Sequence, residues 1–282
     1  MKILGIVILF HPTDSVIKNI ESYISLLDTL IVWDNTPSHN TNQFVGSLAC
    51  KVMVWSEGRN VGLGKPMNIA AKYAQENGYD YLLTMDQDSC FERGEFKRYK
   101  DWAYSLNKMA ILSPNYRLSG ELLHDPKNMF VETDVTMTSG SIYPVELFNK
   151  IGFFRDDFFI DSIDTEYSLR AFHEGIPTII NTSIVLNHGW GYRGKERMVL
   201  FGIRFTPNNY SAVRTYYIIR NGLITKKSYP NSSNWKTFMR YWVYKRMVLV
   251  LLFEKGKWRK LRAIFWGVVD GIRNVTGEQK RL

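Results

Sequence analysis

The stretch YLLTMDQDS at residues 81–89 decides the fold class of this chain. The apolar-rich residues 81–85 predict a short buried strand, and Asp86 and Asp88 follow directly at its end. Two carboxylates with this spacing at the end of a strand can hold a hard divalent cation, which in turn neutralises a diphosphate. The alternative for the same pair is a solvated turn that binds nothing, and the stretch alone does not separate the two.

Similar patterns flank this stretch on both sides. Apolar runs at 3–10, 30–33 and 51–55 predict further strands, and residues 16–27 and 66–75 have the spacing of helices. Short strands alternating with helices indicate an α/β fold with a single mixed, mostly parallel sheet flanked by helices. Ligands of such sheets bind beyond the carboxyl ends of the strands. Polar residues stand at three of those ends: His11, Pro12 and Thr13; Asp34, Asn35 and Thr36; Asp86, Gln87 and Asp88.

Length and composition exclude several classes of protein. The chain has 282 residues, of which 45% are hydrophobic, enough for one large domain with a packed core and incompatible with global disorder. Its 2 cysteines cannot form a disulfide framework or a four-cysteine zinc site, which favours a reducing compartment. The apolar run at 3–10 is too short for a signal peptide or a membrane span. We therefore expect a cytoplasmic protein.

Most of the positive charge lies near the C-terminus. The net charge is +9, and residues 235–262 contain nine Lys or Arg against one acid, Glu254, interleaved with Trp, Tyr and Phe. This pattern predicts C-terminal amphipathic helices that lie on a membrane surface. The alternatives are a helical pair that packs on the main domain with a solvated basic face, or a nucleic-acid site. A nucleic-acid site is disfavoured because the rest of the chain is near neutral.

Four further motifs are candidates for chemistry. The glycine-rich stretch EGRNVGLGKPMN at 57–68 opens a helix whose N-terminus would favour an anion, although an ordinary loop would also account for it. The acids in FFIDSIDTE at 158–166 would either cap a helix or supply a general base. His188 would be structural or would reach a phosphate or metal. YYIIRN at 216–221 predicts helix core with Arg220 free to pair with an acid or a phosphate.

The ordered set of motifs resembles that of the family 2 glycosyltransferases with a GT-A fold. The resemblance runs from residue 3 to about 221. Within the family, the stretches at 86–89, 158–166 and 216–221 are most similar to bacterial rhamnosyltransferases of surface-polysaccharide assembly. The matching pieces, in chain order, are His11-Pro12-Thr13, Asp34-Asn35, Asn60-Val61-Gly62-Leu63-Gly64 with Asn68, Asp86-Gln87-Asp88-Ser89, Thr138-Ser139-Gly140-Ser141 and Ile163-Asp164-Thr165-Glu166.

The resemblance implies roles for some of the matching residues. It assigns Asp164 as the general base, Gly140 and Glu166 to the acceptor side, and Asp88 with His188 to a Mn²⁺ or Mg²⁺ ion. Ile163 departs from the family, where a glutamate commonly precedes the base. It assigns nine residues to donor binding: His11, Pro12, Thr13, Asp34, Asn60, Gly62, Asn68, Asp86 and Gln87.

These roles describe a metal-dependent inverting glycosyltransferase, which would move L-rhamnose from dTDP-β-L-rhamnose onto a saccharide or lipid-diphosphate-linked saccharide. A UDP-sugar donor (galactofuranose, glucose or galactose), a nucleotidyltransferase and a non-catalytic binding module recruited to membranes are the alternatives. We expect a nucleotide-sugar-binding half at 1–120, an acceptor-binding half at 121–221 and basic aromatic helices at 222–282. We also expect residues 235–262 to hold the enzyme on the inner face of the bacterial cell membrane.

Overall fold

The computed structural model divides the chain into two compact units, Met1–Phe154 with Tyr167–Gly189, and Arg155–Glu166 with Trp190–Leu282. The three-part division expected from the sequence remains a prediction, because these units are defined by packing rather than by ligand binding. The described residues are 2–37, 51–106, 108–118, 120–189, 198–200, 203–205, 209–231 and 239–282.

The first unit is built on a sheet of ten strands within the described ranges. The strands are β1 (Ile3–Leu9), β2 (Thr29–Asp34), β3 (Val52–Ser56), β4 (Tyr81–Asp86), β5 (Ser89–Phe91), β6 (Ile111–Leu118), β7 (Glu121–Leu122), β8 (Phe130–Thr133), β9 (Ile142–Pro144) and β10 (Thr178–His188). Their order across the sheet is β3-β2-β1-β4-β9-β6-β10-β5, with β7 paired to β6 and β8 paired to β10.

Strand direction makes the sheet mixed. The pairs β1–β2, β1–β4, β2–β3 and β6–β10 are parallel. Strand β9 runs antiparallel between β4 and β6, and β5 lies antiparallel against β10. The continuous apolar run of β1 is buried almost throughout, as expected for a strand with a parallel neighbour on each side. The predicted α/β class with a mixed sheet is confirmed.

Helices cover this sheet. Helix α2 (Gly64–Glu76) buries a row of small or flexible side chains that includes Met67, Ala70 and Ala74. This row lets the helix backbone pack closely on β1 and β4. A proline at its third position, Pro66, costs little there because the first N–H groups of a helix have no partner within the helix. The helices are α1 (Ser15–Glu21), α2 (Gly64–Glu76), α3 (Glu95–Ser105), α4 (Val145–Ile151) and α5 (Ile163–His173), of which the first four residues belong to the second unit.

The second unit is mainly helical. Its longer helices, α6 (Ala212–Ser228) and α8 (Lys257–Arg273), pack closely. A Cβ on Gly271 of α8 would lie 2.8 Å from Cβ of Leu223 on α6. Among the described residues, no helix is long and apolar enough to cross a membrane. The elements are a hairpin of β11 (Met198–Leu200) and β12 (Ile203–Phe205), α6 (Ala212–Ser228), a π-helical turn at Met239–Tyr244, α7 (Lys245–Phe253) and α8 (Lys257–Arg273). The expected C-terminal helices are therefore present.

Candidate active site

The parallel strands bring three polar ends to one edge of the sheet in the first unit. In the register, Leu9 of β1 pairs with Asp34 of β2, and Ile8 pairs with Asp86 of β4. The two aspartates therefore lie on opposite sides of the end of β1. Loops that follow strands at this edge carry His11, Pro12 and Thr13, of which His11 and Thr13 are exposed.

Hydrogen bonds fix the turn after β1. The backbone N–H of Phe10 donates to Oε1 of Gln87 (2.8 Å), and Nε2 of Gln87 donates to the carbonyl of Phe10 (3.1 Å). The N–H of His11, a residue at φ 47°, donates to Oγ1 of Thr36 (2.8 Å). Thr13 pairs through its hydroxyl with that of Ser15 (2.9 Å). Gln87 thus supports the loop at 10–13, and its own donor-binding role remains a prediction.

The end of β2 is tied to the glycine-rich loop. Asp34 is buried, and its carboxylate accepts from the N–H of Thr36 (2.8 Å). The side chain of Asn35 donates to the carbonyl of Gly62 (2.7 Å) and accepts from the N–H of Val61 (3.2 Å). Asn35 was not among the predicted site residues, although its place directly after Asp34 at a strand end was a signal. It positions the loop that was expected to approach the donor.

Two asparagines expected to bind the donor also hold backbone in place. Oδ1 of Asn60 accepts from the N–H of Gly62 (2.9 Å), which has a φ of 80°. The amide of Asn68, on α2, both donates to the carbonyl of Phe154 and accepts from its N–H, each at 2.9 Å. Asn68 therefore joins α2 to the end of the first unit, and its contact with a donor remains a prediction.

A potential metal site lies beyond β4. Asp86, Asp88 and His188 each offer a ligand atom, and these atoms lie within 4.8 Å of one another. Oδ1 of Asp88 is 3.8 Å from Nδ1 of His188. Two carboxylate oxygens and one imidazole nitrogen form a donor set that Mn²⁺ accepts well and Mg²⁺ accepts through its oxygens. The residues present therefore fit the expected ion.

Two serines that were not predicted position the histidine. The antiparallel pairing of β5 with β10 sets His188 opposite Ser89, and Oγ of Ser89 is 2.6 Å from Nδ1 of His188. Oγ of Ser139 donates to Oγ of Ser89 (2.7 Å) and accepts from the N–H of Asp86 (3.1 Å). The signal for Ser89 was its place in the motif at 86–89. The signal for Ser139 was its place in the matched stretch at 138–141.

Glycines make room at two points of the first unit. A Cβ on Gly189 would lie 3.0 Å from Oδ2 of Asp88, so a side chain there would press on the carboxylate. Gly140 has a φ of 79°, and a Cβ on it would lie 2.7 Å from Cδ2 of Leu186. Gly140 is therefore required for the backbone path between Ser139 and β9, whatever contact it makes with an acceptor.

Asp164 and Glu166 belong to the second unit, in the first turn of α5. Oδ1 of Asp164 accepts from the N–H of Thr165 (2.7 Å), and the side chain is half-buried. Glu166 is buried, and its Oε1 accepts from the hydroxyl of Tyr229 (3.0 Å). Burial raises the pKa of Asp161, and the charge and hydrogen bonds of Arg214 oppose that shift. The roles of Asp164 as base and of Glu166 on the acceptor side remain predictions.

The sheet, its polar edge and the acidic pair beyond β4 define the class of protein. The family model for glycosyl transferase family 2 matches residues 6–163, and the chain belongs to this family. Across 299 aligned residues it is 27% identical to the dTDP-rhamnosyl transferase RfbF of Shigella flexneri, and the match covers 98% of this chain and 97% of that protein.

Solved structures share the fold. One of S. aureus TarS superposes with a TM-score of 0.56 at 16% identity and covers 98% of this chain, which spans 49% of that longer one. Another, of S. aureus TarS 1-349 in complex with UDP-GlcNAc, gives a TM-score of 0.55 at 16% identity, covering 95% of this chain and 82% of the other. The fold is GT-A-like, and the protein is a glycosyltransferase.

Proposed function

We propose that this protein transfers L-rhamnose from dTDP-β-L-rhamnose to a saccharide or lipid-linked saccharide acceptor in cell-surface polysaccharide synthesis, with inversion at the anomeric carbon. The observation that carries the proposal is the Asp86–Asp88–His188 cluster at the sheet edge next to Asp34. The name of the relative RfbF supports the choice of donor.

The polar sheet edge fits a nucleoside diphosphate sugar. Asp34 would contact the base, and Asp86 the ribose or the sugar. Asp88 and His188 would hold Mn²⁺ or Mg²⁺, which supplies positive charge against the diphosphate. The loops at 10–13 and 60–64 are both tied to the strand ends by hydrogen bonds. A site held in this way aligns the donor before the acceptor arrives.

Inverting transfer needs one proton acceptor. The acceptor hydroxyl oxygen attacks the anomeric carbon as the bond from that carbon to the diphosphate oxygen breaks, and the hydroxyl proton passes to Asp164. No covalent sugar–enzyme intermediate forms, so a single carboxylate suffices. Attack on the face opposite the leaving group converts a β-linked donor into an α-linked product.

The exposed side chains of the C-terminal helices fit a membrane surface. Trp258 is 85% exposed, and Val248, Leu251 and Leu252 on α7 are exposed as well. Aromatic rings and cations together favour the headgroup region of an anionic bilayer. The exposed cations are Arg240, Lys245, Lys255, Lys257, Arg259 and Arg262. We therefore place residues 239–262 on the inner face of the cell membrane, where a lipid-linked acceptor would lie. Residues 235–238 of the expected segment lie outside the described residues.

Nucleotide-dependent thermal stabilisation tests the proposed donor. The melting temperature would be measured with dTDP, UDP, GDP and CDP, each with and without Mn²⁺, because a ligand that binds only the native state must raise it. We expect the largest rise in melting temperature with dTDP and Mn²⁺. At a ligand concentration a hundred times Kd, binding adds about 2.7 kcal/mol to the free energy of unfolding. A rise selective for UDP would indicate that the donor is a UDP-sugar and not dTDP-β-L-rhamnose. No shift with any nucleotide would favour a non-catalytic binding module.

Two variants show whether the shift uses the metal cluster. Asp88→Asn should abolish the part of the dTDP shift that depends on Mn²⁺, since an amide is a far weaker ligand for a divalent cation. Asp101→Asn is the matched control, because Asp101 is an exposed carboxylate on α3 that pairs with Lys97. An Asp88→Asn protein with the full Mn²⁺-dependent shift would refute the metal site.

A further inference from the structure

The segment that leads into α5 is strained. Phe159, Asp161 and Ser162 have φ values of 67°, 63° and 61°, which residues other than glycine rarely adopt. Such conformations persist only where the surrounding structure over-determines them. Ser162 lies two positions before Asp164, and its carbonyl accepts the N–H of Glu166 (2.9 Å) to start the helix. The strain therefore sits directly at the start of the turn that carries Asp164.

Asn221 of α6 binds this segment through its side-chain amide. Its Nδ2 lies within hydrogen-bond distance of the carbonyl oxygens of Phe158 (2.9 Å), Ile160 (2.8 Å) and Asp161 (2.9 Å), and its two hydrogens are shared among these three acceptors. Asn221 is 0% exposed, so water does not compete for these carbonyls. A buried carbonyl without a donor destabilises the fold, and here one amide group supplies two hydrogens to a cluster of three carbonyls.

Arg220 binds the same segment from the neighbouring position. Its Nη2 donates to the carbonyls of Asp157 (3.2 Å) and Phe158 (3.1 Å), and its Nη1 donates to that of Gly277 (2.6 Å). Its Nε donates to Oδ1 of Asn221 (2.8 Å). Arg220 is 1% exposed and lies over the ring of Tyr217. The expectation that Arg220 is free for an acid or a phosphate is therefore wrong.

The rest of α6 contributes to the same contact. The ring of Phe159 stacks on that of Tyr217, with centroids 5.1 Å apart, and Arg214 pairs with Asp161 at 3.1 Å. Four side chains of one helix therefore hold the strained segment at successive points. Strained residues of this kind cluster at active sites and other functional segments.

We propose that Arg220 and Asn221 are positioning residues, which fix the segment at 157–162 so that Asp164 meets the acceptor hydroxyl. The proposal rests on the proposed role of Asp164 as the general base. A base must lie within hydrogen-bond reach of its proton, and a displacement of about 1 Å can cost about a hundredfold in rate.

Hydrogen exchange of the backbone tests the positioning without an activity assay. In Asn221→Ala, the amides at 158–166 should exchange at least about tenfold faster than in the unmodified protein, because their segment loses the hydrogen bonds from the Asn221 amide. Thr215→Val is the matched control: it removes a buried hydrogen bond of the same helix, from Nη2 of Arg246 to Oγ1 of Thr215 (3.1 Å). If Asn221→Ala does not fold, Asn221→Ser is used in its place, because the serine hydroxyl keeps one hydrogen-bond donor.

Turnover tests the consequence. With dTDP-β-L-rhamnose, Mn²⁺ and water as acceptor, Asn221→Ala should lower kcat for dTDP release by about tenfold or more. The KM for the donor should stay within about twofold, because the donor residues lie in the first unit. Thr215→Val should change neither constant.

Four outcomes would overturn the positioning role. Unchanged exchange at 158–166 in Asn221→Ala would do so, and so would equal losses of kcat in Asn221→Ala and Thr215→Val. Asp164→Asn, assayed in parallel, separates the two proposals. If it keeps the turnover of the unmodified protein, Asp164 is not the base and the positioning role falls with it. If it is inactive and Asn221→Ala is fully active, only the positioning role fails.

Discussion

Single residues in the motif at 86–89 perform different tasks. Asp86 and Asp88 offer carboxylates to the metal cluster, whereas Gln87 between them binds the backbone of Phe10. Ser89 binds the imidazole of His188. Side chains alternate in direction along an extended segment, so consecutive residues reach different neighbours. The motif thus combines two carboxylates that could hold a cation with two side chains that position their neighbours.

Asp270 leads to a prediction about pH at the scale of one residue. Burial alone would raise the pKa of its carboxyl, but hydrogen bonds from Arg281 and Tyr216 outweigh burial and hold the pKa below 3.8. A carboxyl with a lowered pKa in the folded chain stabilises it fully above the unfolded value. That contribution disappears as the pH falls through the folded pKa.

We therefore expect Asp270→Asn to lower the free energy of unfolding by about 1–3 kcal/mol at pH 7. The difference between variant and unmodified protein should shrink as the pH falls below about 4. Urea denaturation followed by tryptophan fluorescence between pH 7 and pH 3 measures it. A difference that stays constant over this range would contradict the assignment of the shift to an ionised, paired Asp270.

At the scale of elements, α7 and α8 are joined by a buried ion cluster. Glu254, which is 2% exposed, accepts from Nη1 of Arg246 on α7 (2.7 Å) and from Nζ of Lys260 on α8 (2.7 Å). Nη2 of Arg246 also donates to Oγ1 of Thr215 on α6 (3.1 Å). Two of the basic residues counted in the C-terminal segment are therefore structural and do not face a membrane.

Removing the acid of this cluster should be costly. Glu254→Gln leaves two buried cations without their counter-charge and should lower the free energy of unfolding by about 3–5 kcal/mol. Asp101→Asn breaks the exposed Lys97–Asp101 pair and should cost about 0.5 kcal/mol or less. Chemical denaturation of both variants gives the comparison, and equal costs would show that the cluster is not screened from water.

At the scale of the whole molecule, the exposed surface of the C-terminal segment bears on where the protein resides in the cell. In the C-terminal segment at 239–262, the exposed side chains are apolar or basic, and Glu254, the one acid there, is buried. Deleting the C-terminal helices would also remove α8, which packs against α6, so loss of binding by a truncated chain would not identify a lipid contact. A point substitution on the exposed surface is the sharper test.

Trp258→Glu should weaken binding to phosphatidylglycerol vesicles by about tenfold, since it removes an interfacial ring and adds a negative charge at an anionic surface. Trp258 is so exposed that folding should not change. Tyr104→Glu, at a position 72% exposed on α3, is the control and should bind as before. Co-sedimentation at low and high salt measures both. Equal binding of Trp258→Glu and the unmodified protein would argue against the membrane surface.

Local patterns in the sequence were sufficient for the fold class, the family and the strand ends at which Asp34 and Asp86 lie. Periodicity and strand-end chemistry depend on residues close together in the chain, so they can be read without the fold. The family motifs added the positions of Asp164 and His188. The amphipathic basic character of the C-terminal helices was likewise determined by the sequence itself.

Only the tertiary structure decided which of these residues meet. Strand register places Ser89 beside His188, 99 positions away. Arg246 and Lys260 were candidate membrane contacts in the sequence, but both are buried and bind Glu254. The packing of α6 makes Arg220 and Asn221 bind the backbone before α5. Such pairings depend on register and on exclusion of water over long sequence separations, and composition and spacing carry no information about either.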